Sequence, residues 1–309
     1  MNTLDTILEF LKSVTLLTVG QLISIFGILF VFGLILYFLA RCTRRVYTKA
    51  AGSTLDIILT GWIGVPVHEI GHAIFCLLFL HKIKRIKLFD PNPADGTIGY
   101  VAHSYNPKSI YQRIGNFFIG VGPIIFGSVV LYATMYYLVP NMKGAFLELE
   151  KHSAILHTAG VNNWQLMLQG IGDSVRVILS AITNSSNFSD WRFWLFLYIS
   201  LSVASHMELS PPDIKSALGG FVFVLLFVFL WNMIAMLVEA SELHTMLGSW
   251  WRWFMLQTYM GSITNLVGVG TALFIYAAII SALNFVVSWI LLSLYSLIRY
   301  RRGINPFWG

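Results

Sequence analysis

Long apolar runs, rather than strict alternation, organise this chain. Stretches at roughly 15–40, 55–80, 114–139, 192–208, 218–238 and 266–297 approach or exceed the ~20 residues that a helix needs to cross hydrocarbon. The fourth run is short and the sixth is long enough to tilt or overhang. Two polar stretches interrupt them. In the first, His81 to Leu88 is rich in Ile and Lys, Asp90 to Gly96 carries turn residues, and Thr97 to Tyr105 reads as strand, predicting a hairpin lying against the membrane. The second, Asn141 to Asp190, shows helical periodicity in Phe146 to Leu156 and in Trp164 to Ile182, ending in a loop at Asn184 to Asp190. It predicts a small extramembrane helical pair. Its two sequons, at Asn184 and Asn187, matter only in a eukaryotic secretory pathway. The expected fold class is an all-α polytopic membrane protein with about six transmembrane helices and one membrane-associated β-hairpin. The expected organisation is an N-terminal anchor over residues 1–50, a membrane core over 51–220 with an extramembrane insertion at about 141–190, and C-terminal transmembrane helices over 221–309.

Composition agrees with the patterning. Hydrophobic residues make up 57% and charged residues 11%, with a mean hydropathy of +0.72, outside the range of soluble domains. The net charge of +6 does not imply nucleic acid, because the basic residues sit in short clusters beside the apolar runs: Arg41, Arg44, Arg45 and Lys49; Lys82, Lys84, Arg85 and Lys87; Arg299, Arg301 and Arg302. Such clusters set topology or meet lipid headgroups. With six spans, the second and third clusters share one face and the first lies opposite, a count that leans toward cytoplasmic termini. Met1 to Lys12 carries Asp5 and Glu9 and lacks a basic n-region, so no cleavable signal peptide is expected and the first span is retained. Cys42 and Cys76 are too few for a disulfide framework and read as core or interfacial residues, although Cys76 lies one turn beyond His72.

The candidate chemistry lies inside the second run. His68-Glu69-Ile70-Gly71-His72 places two imidazoles one helical turn apart at zinc-ligand spacing, with a carboxylate between them positioned as a general base. Ionisable side chains in hydrocarbon cost about 2.5–3.5 kcal/mol each on insertion scales, so three within five residues call for a compensating partner. A divalent cation is such a partner. A third ligand is needed, and counting spans brings the end of the fourth run to the same face as the motif. There Ser205-His206-Met207-Glu208-Leu209-Ser210-Pro211-Pro212-Asp213 offers Asp213 first and His206 second, the latter alternatively as a group that orients a ligand or the substrate. The competing structural reading of Asp213 is the N-cap of a helix beginning at Ile214. Glu239, Glu242 and His244 form another acidic and imidazole set, but they approach the opposite face.

With these residues in view, the chain resembles the site-2 protease family of intramembrane zinc metalloproteases, particularly its compact bacterial-type members. Gly64 to Ala73 is similar to that family's first core helix, and Gly96 to Val101 resembles the strands that follow it. Gly120-Val121-Gly122-Pro123 resembles the Gly-Pro element opening the second core helix, and Ser205 to Asp213 approximates the third motif. Ser205, Glu208 and Ile214 stand where the family usually has Asn, Pro and Gly. The resemblance covers about residues 55–220. It implies Zn2+ as cofactor, His68, His72 and Asp213 as ligands, Glu69 as general base, and hydrolysis of peptide bonds in transmembrane or membrane-associated protein substrates. It also implies a multi-pass protein of a bacterial inner membrane. An unwound substrate segment could add to the hairpin edge, where His103 and Asn106 could contact it; an ordinary polar loop explains those two as well. Two readings of other classes stand beside the protease: a non-catalytic scaffold that regulates a membrane protein, and a metal or proton transporter.

Overall fold

The computed structural model describes residues 3–52, 57–93, 96–140, 142, 144, 164–241, 245, 246 and 248–307. In chain order, α1 is Thr3–Ala51; a π-helical turn at Ile57–Gly61 leads into α2, Trp62–Leu78; β1 is Lys82–Lys87 and β2 is Tyr100–Ser104. Then follow α3, Ile110–Leu138; α4, Trp164–Ile182; a 3-10 turn at Ser185–Ser189; α5, Trp191–Ser205; α6, Pro211–Ala240; a 3-10 turn at Gly248–Phe254; and α7, Leu256–Tyr300.

Among the described residues, five helices are long and apolar enough to cross a membrane, consistent with a membrane-embedded protein: α1, the Ile57–Leu78 unit, α3, α6 and α7. The fifth helix, α5, coincides with the fourth apolar run, but its 15 residues extend only about 22 Å at 1.5 Å per residue, short of a 30 Å hydrocarbon layer. At 49 and 45 residues, α1 and α7 are far longer than one crossing requires. They pack along each other and around the rest of the bundle. Across the expected boundary at 220, α6 runs unbroken from Pro211 to Ala240. The expected helix at Phe146 to Leu156 lies outside the described residues.

The centre of the bundle is α3. It buries Phe117, Ile119, Val121, Ile124, Leu131 and Met135 against α2, α5, α6 and α7. Phe117 also meets Phe26 of α1 edge-on at 5.0 Å, and Phe221 of α6 packs on Phe30 at 5.1 Å. The Gly-Pro element therefore does not open a helix: α3 begins ten residues before Gly120, with Ser109 as its N-cap, and Pro123 lies in its interior. An interior proline removes one helical hydrogen bond, and the consequence appears at the site below.

The hairpin is antiparallel, with Lys82 opposite Ser104 and Lys87 opposite Tyr100, and an irregularity between Ile83 and Arg85 at Lys84. Its chain reversal after α2 passes through Leu80 at φ 58°, a left-handed conformation unfavourable for a branched residue. Gln112, in the first turn of α3, holds this corner: its Nε2 donates to Leu80 O at 2.8 Å and its Oε1 accepts from Asn106 N at 2.6 Å. Tyr111 donates to Leu78 O at 2.6 Å. The same corner fastens two histidines. His81 Nε2 donates to Gln112 O at 2.8 Å, which leaves His81 Nδ1 to accept from His103 Nδ1 at 3.0 Å.

Burial holds the pKa of His81 below its ordinary value, against the pull of the Gln112 carbonyl. Burial also lowers that of His103, helped by neighbouring His81 and His72. Both rings are therefore favoured neutral in the fold, and their contribution is fully present above the unfolded value of about 6.5 and lost as pH falls through the depressed values. Hydrogen exchange at residues 81–104 should accelerate several-fold more between pH 7 and pH 5 than that of α3, once both are corrected for intrinsic rates. In His81→Gln that extra acceleration should shrink. Equal corrected acceleration in hairpin and α3 would contradict this coupling.

Candidate metal centre

The i, i+4 spacing of His68 and His72 places both rings on one face of α2, with centroids 4.9 Å apart and Nε2 atoms 3.2 Å apart. Asp213, in the first turn of α6, brings its two oxygens to the same point: Oδ1 is 3.2 Å from His72 Nε2 and Oδ2 is 3.6 Å from His68 Nε2. These three residues offer ligand atoms that all lie within 4.8 Å of one another, and the group could hold a metal ion.

The other ring nitrogens decide how the group is poised. His72 Nδ1 donates to Ile119 O at 2.7 Å, and His68 Nδ1 donates to His206 O at 2.8 Å. A carbonyl only accepts, so each Nδ1 carries the hydrogen, and each ring in its neutral form turns a lone pair at Nε2 toward the other and toward a carboxylate. Two such lone pairs and an anion at these separations repel unless a proton or a metal cation lies among them. Zinc bonds of about 2.0–2.1 Å at tetrahedral angles would set neighbouring donors about 3.3 Å apart. The 3.2 Å between the two Nε2 atoms and the 3.2 Å from His72 Nε2 to Asp213 Oδ1 match that spacing, while His68 Nε2 lies 3.6 Å from the other carboxylate oxygen, Oδ2.

Both carbonyls are available for a physical reason. Ile119 is four residues before Pro123, so its carbonyl lacks the helical N–H that any other residue at 123 would provide. His206 follows the last residue of α5, and the N–H that would meet its carbonyl in a continued helix, that of Ser210, donates instead to Asp213 Oδ2 at 2.8 Å. Ser210 and Asp213 form a capping box, with Ser210 Oγ 2.6 Å from the same oxygen. Asp213 is thus not the N-cap of a helix beginning at Ile214. The helix begins at Pro211, both prolines occupy its first two positions, and Asp213 serves the cap and the site together.

Glycines allow the helices to approach closely enough for these contacts. A Cβ at Gly122 would lie 2.8 Å from Gly71 O, and one at Gly71 would lie 2.8 Å from Pro123 Cα, so α2 and α3 cross backbone to backbone. A Cβ at Gly120 would lie 2.5 Å from Asp213 O, and one at Gly64 would lie 2.3 Å from Ser202 O. Glu69, next to His68 on α2 and in electrostatic reach of His68, His72 and Asp213, is 7% exposed and lies against the extended chain before β2: a Cβ at Gly99 would be 3.1 Å from its Oε1.

The remaining candidates are placed elsewhere. His206 contributes its main-chain carbonyl, while its ring Nδ1 lies 3.2 Å from Ser202 O at the end of α5, apart from the three converging donors. His103 is fastened to His81 in the hairpin. Asn106 accepts from Lys108 N at 3.0 Å through Oδ1 and so shapes the turn before α3. Cys76 is a buried free thiol outside the group. Glu239 is exposed near the end of α6, and Glu242 and His244 lie outside the described residues. Sequence reasoning missed the carbonyls of Ile119 and His206, the Ser210 cap and the Gly99 contact. Pro123 four residues after Ile119, and the Ser-x-x-Asp pattern at 210–213, were the available signals.

Comparison of the chain with protein-family models, with curated proteins and with solved structures gives no match in any of the three.

The crossing makes a signed prediction. Gly122→Ala sets a methyl group against the Gly71 carbonyl and should destabilise the bundle by about 1–3 kcal/mol. Gly172→Ala, in α4 with open space around its Cα, should stabilise by about 0.5–1 kcal/mol through helix propensity. Thermal unfolding in one detergent should therefore move in opposite directions for the two variants. Shifts of the same sign would mean that α2 and α3 do not cross at this distance.

Proposed function

We propose that this chain is a membrane-embedded zinc metalloprotease that hydrolyses peptide bonds of membrane proteins within or near the bilayer. The observation that carries the reading is the convergence of His68 Nε2, His72 Nε2 and the Asp213 carboxylate, with both Nδ1 atoms tied to carbonyls, beside buried Glu69. The resemblance to the site-2 protease family supports it. So does the donor set, since two neutral imidazoles and one carboxylate, leaving a fourth position open, suit catalytic zinc. In this reading α5 counts as a short sixth span, and the protein sits in a bacterial inner membrane.

Lewis acidity is what a zinc ion held by these three side chains supplies: polarisation of a substrate carbonyl and easier deprotonation of water near neutral pH. The protein's own groups do the rest. The Ile119 and His206 carbonyls keep both rings in the tautomer that presents Nε2. Ser210 orients the Asp213 carboxylate through its N–H and Oγ contacts to Oδ2. Glu69 accepts a proton from the attacking water and returns it to the amine nitrogen as the C–N bond breaks, so the proton count closes within the site. The hairpin over Glu69 and the packed helices limit bulk water around these charges, which strengthens their interactions. A helical substrate must unwind locally to present its carbonyl, because its own hydrogen bonds otherwise cover it.

Purified wild-type protein should contain about one zinc per chain, and His68→Ala, His72→Ala and Asp213→Asn should each lose most of it. Glu69→Gln should retain zinc and the fold while cleavage of a transmembrane reporter falls by about a hundredfold or more. Full zinc retention in Asp213→Asn would remove the third ligand. Undiminished cleavage by Glu69→Gln would remove the hydrolytic mechanism, leaving scaffold or transport functions to explain the same cluster.

A further inference from the structure

The segment from Ser205 to Asp213 carries two of the contacts that shape the centre, and a residue far along the chain holds its start. Asn284, midway along α7 and 2% exposed, donates through Nδ2 to Ser205 Oγ at 2.8 Å and to Leu201 O at 3.3 Å. Its Oδ1 accepts from Ser288 Oγ at 3.2 Å, so the amide is held in one orientation. Ser205 Oγ in turn donates to Leu201 O at 2.8 Å. The residue after Ser205 is His206, whose carbonyl receives the Nδ1 hydrogen of His68. Helix ends fray because their last carbonyls lack helical partners, and here a side chain from another helix fastens the final turn of α5.

We propose that Asn284 is a positioning residue for the candidate centre: by clamping the last turn of α5 it holds the His206 carbonyl where it fixes His68 as the Nδ1–H tautomer, with Nε2 turned toward His72 and Asp213. An apolar residue at 284 would fill the interface between α5 and α7 equally well. The amide adds direction, through two donated bonds that converge on the turn preceding His206. The C-terminal helix thereby becomes part of the site's support. The consequence for metal binding rests on the proposed function; the effect on His68 does not.

Asn232 provides a matched comparison. It is also 2% exposed and donates to Thr18 Oγ1 at 3.0 Å and Gln21 Oε1 at 2.7 Å, but it joins α6 to α1, away from the 205–213 segment. The test uses the full chain in nanodiscs, with 15N-labelled histidine, metal-free at pH 8. NMR reads the fraction of His68 in the Nδ1–H tautomer, and a competition titration with zinc alone reads Kd. Asn284→Leu should move a substantial part of His68 to the Nε2–H tautomer and weaken zinc about tenfold, within the range for groups that orient metal ligands. Ser205→Ala, a smaller change that removes the same bond from the other side, should act in the same direction, and the double variant should be no worse than Asn284→Leu. Asn232→Leu should leave the tautomer unchanged and zinc affinity within about twofold.

A wild-type tautomer in both Asn284→Leu and Ser205→Ala would overturn the proposal. So would equal effects of Asn284→Leu and Asn232→Leu, which would reduce Asn284 to ordinary helix packing. If wild type binds no zinc, the protease reading fails, and the His68 tautomer alone decides the role of Asn284.

Discussion

Everything at the centre of this protein depends on one electrostatic demand: two imidazole lone pairs and a carboxylate converge within 3.2–3.6 Å inside an apolar bundle. In water such groups would be separately hydrated. Between packed helices the two Nε2 atoms and the carboxylate face one another at close range, and the interaction turns from repulsive to favourable when a proton or a metal cation joins them. The rest of the local architecture fits this demand. Ile119 and His206 supply carbonyls that helical hydrogen bonding does not claim, one because proline follows four residues later and the other because a helix ends. The same two features that weaken a helix therefore orient the rings.

Distance is the second constraint. A histidine on α2 reaches a carbonyl on α3 only if the two helices nearly touch, and the Gly71 and Gly122 backbones meet where any Cβ would intrude. Gly120 does the same for the approach of α6, which delivers Asp213. Arg44 of α1 lies 3.3 Å from Glu208, so the segment between α5 and α6 is also held from the N-terminal helix. Both long terminal helices contact this segment, α1 through Arg44 and α7 through Asn284. They enclose the segment that carries the third candidate ligand.

The hairpin is held against α2 and α3 by polar contacts. Gln112, His81 and Tyr111 pin the chain where Leu80 reverses, and Gly99 lets the extended chain rest against the Glu69 side chain. The basic strand β1, with Lys82, Lys84 and Arg85 exposed, pairs with the strand that follows Gly99, whose backbone lies against the buried Glu69 carboxylate.

The apolar runs announced the helices in the sequence, because continuous hydrophobicity over about 20 residues has few other uses. The H-E-x-x-H spacing placed His68 and His72 on one helix face by geometry that any α-helix obeys, and turn residues at 90–96 marked the hairpin. Asp213 was legible as a candidate, because prolines and a serine before it signal a helix start, although its capping-box position was not. Several features belong to tertiary structure alone: the carbonyl that each ring meets, the interior place of Pro123 in α3, the assignment of the His206 ring to the end of α5, and the arrival of Asn284 from a helix 79 residues beyond Ser205. Local sequence fixes periodicity and chain termination within a helix. It does not fix which helices cross, or at what height, and those two choices decide which lone pairs meet.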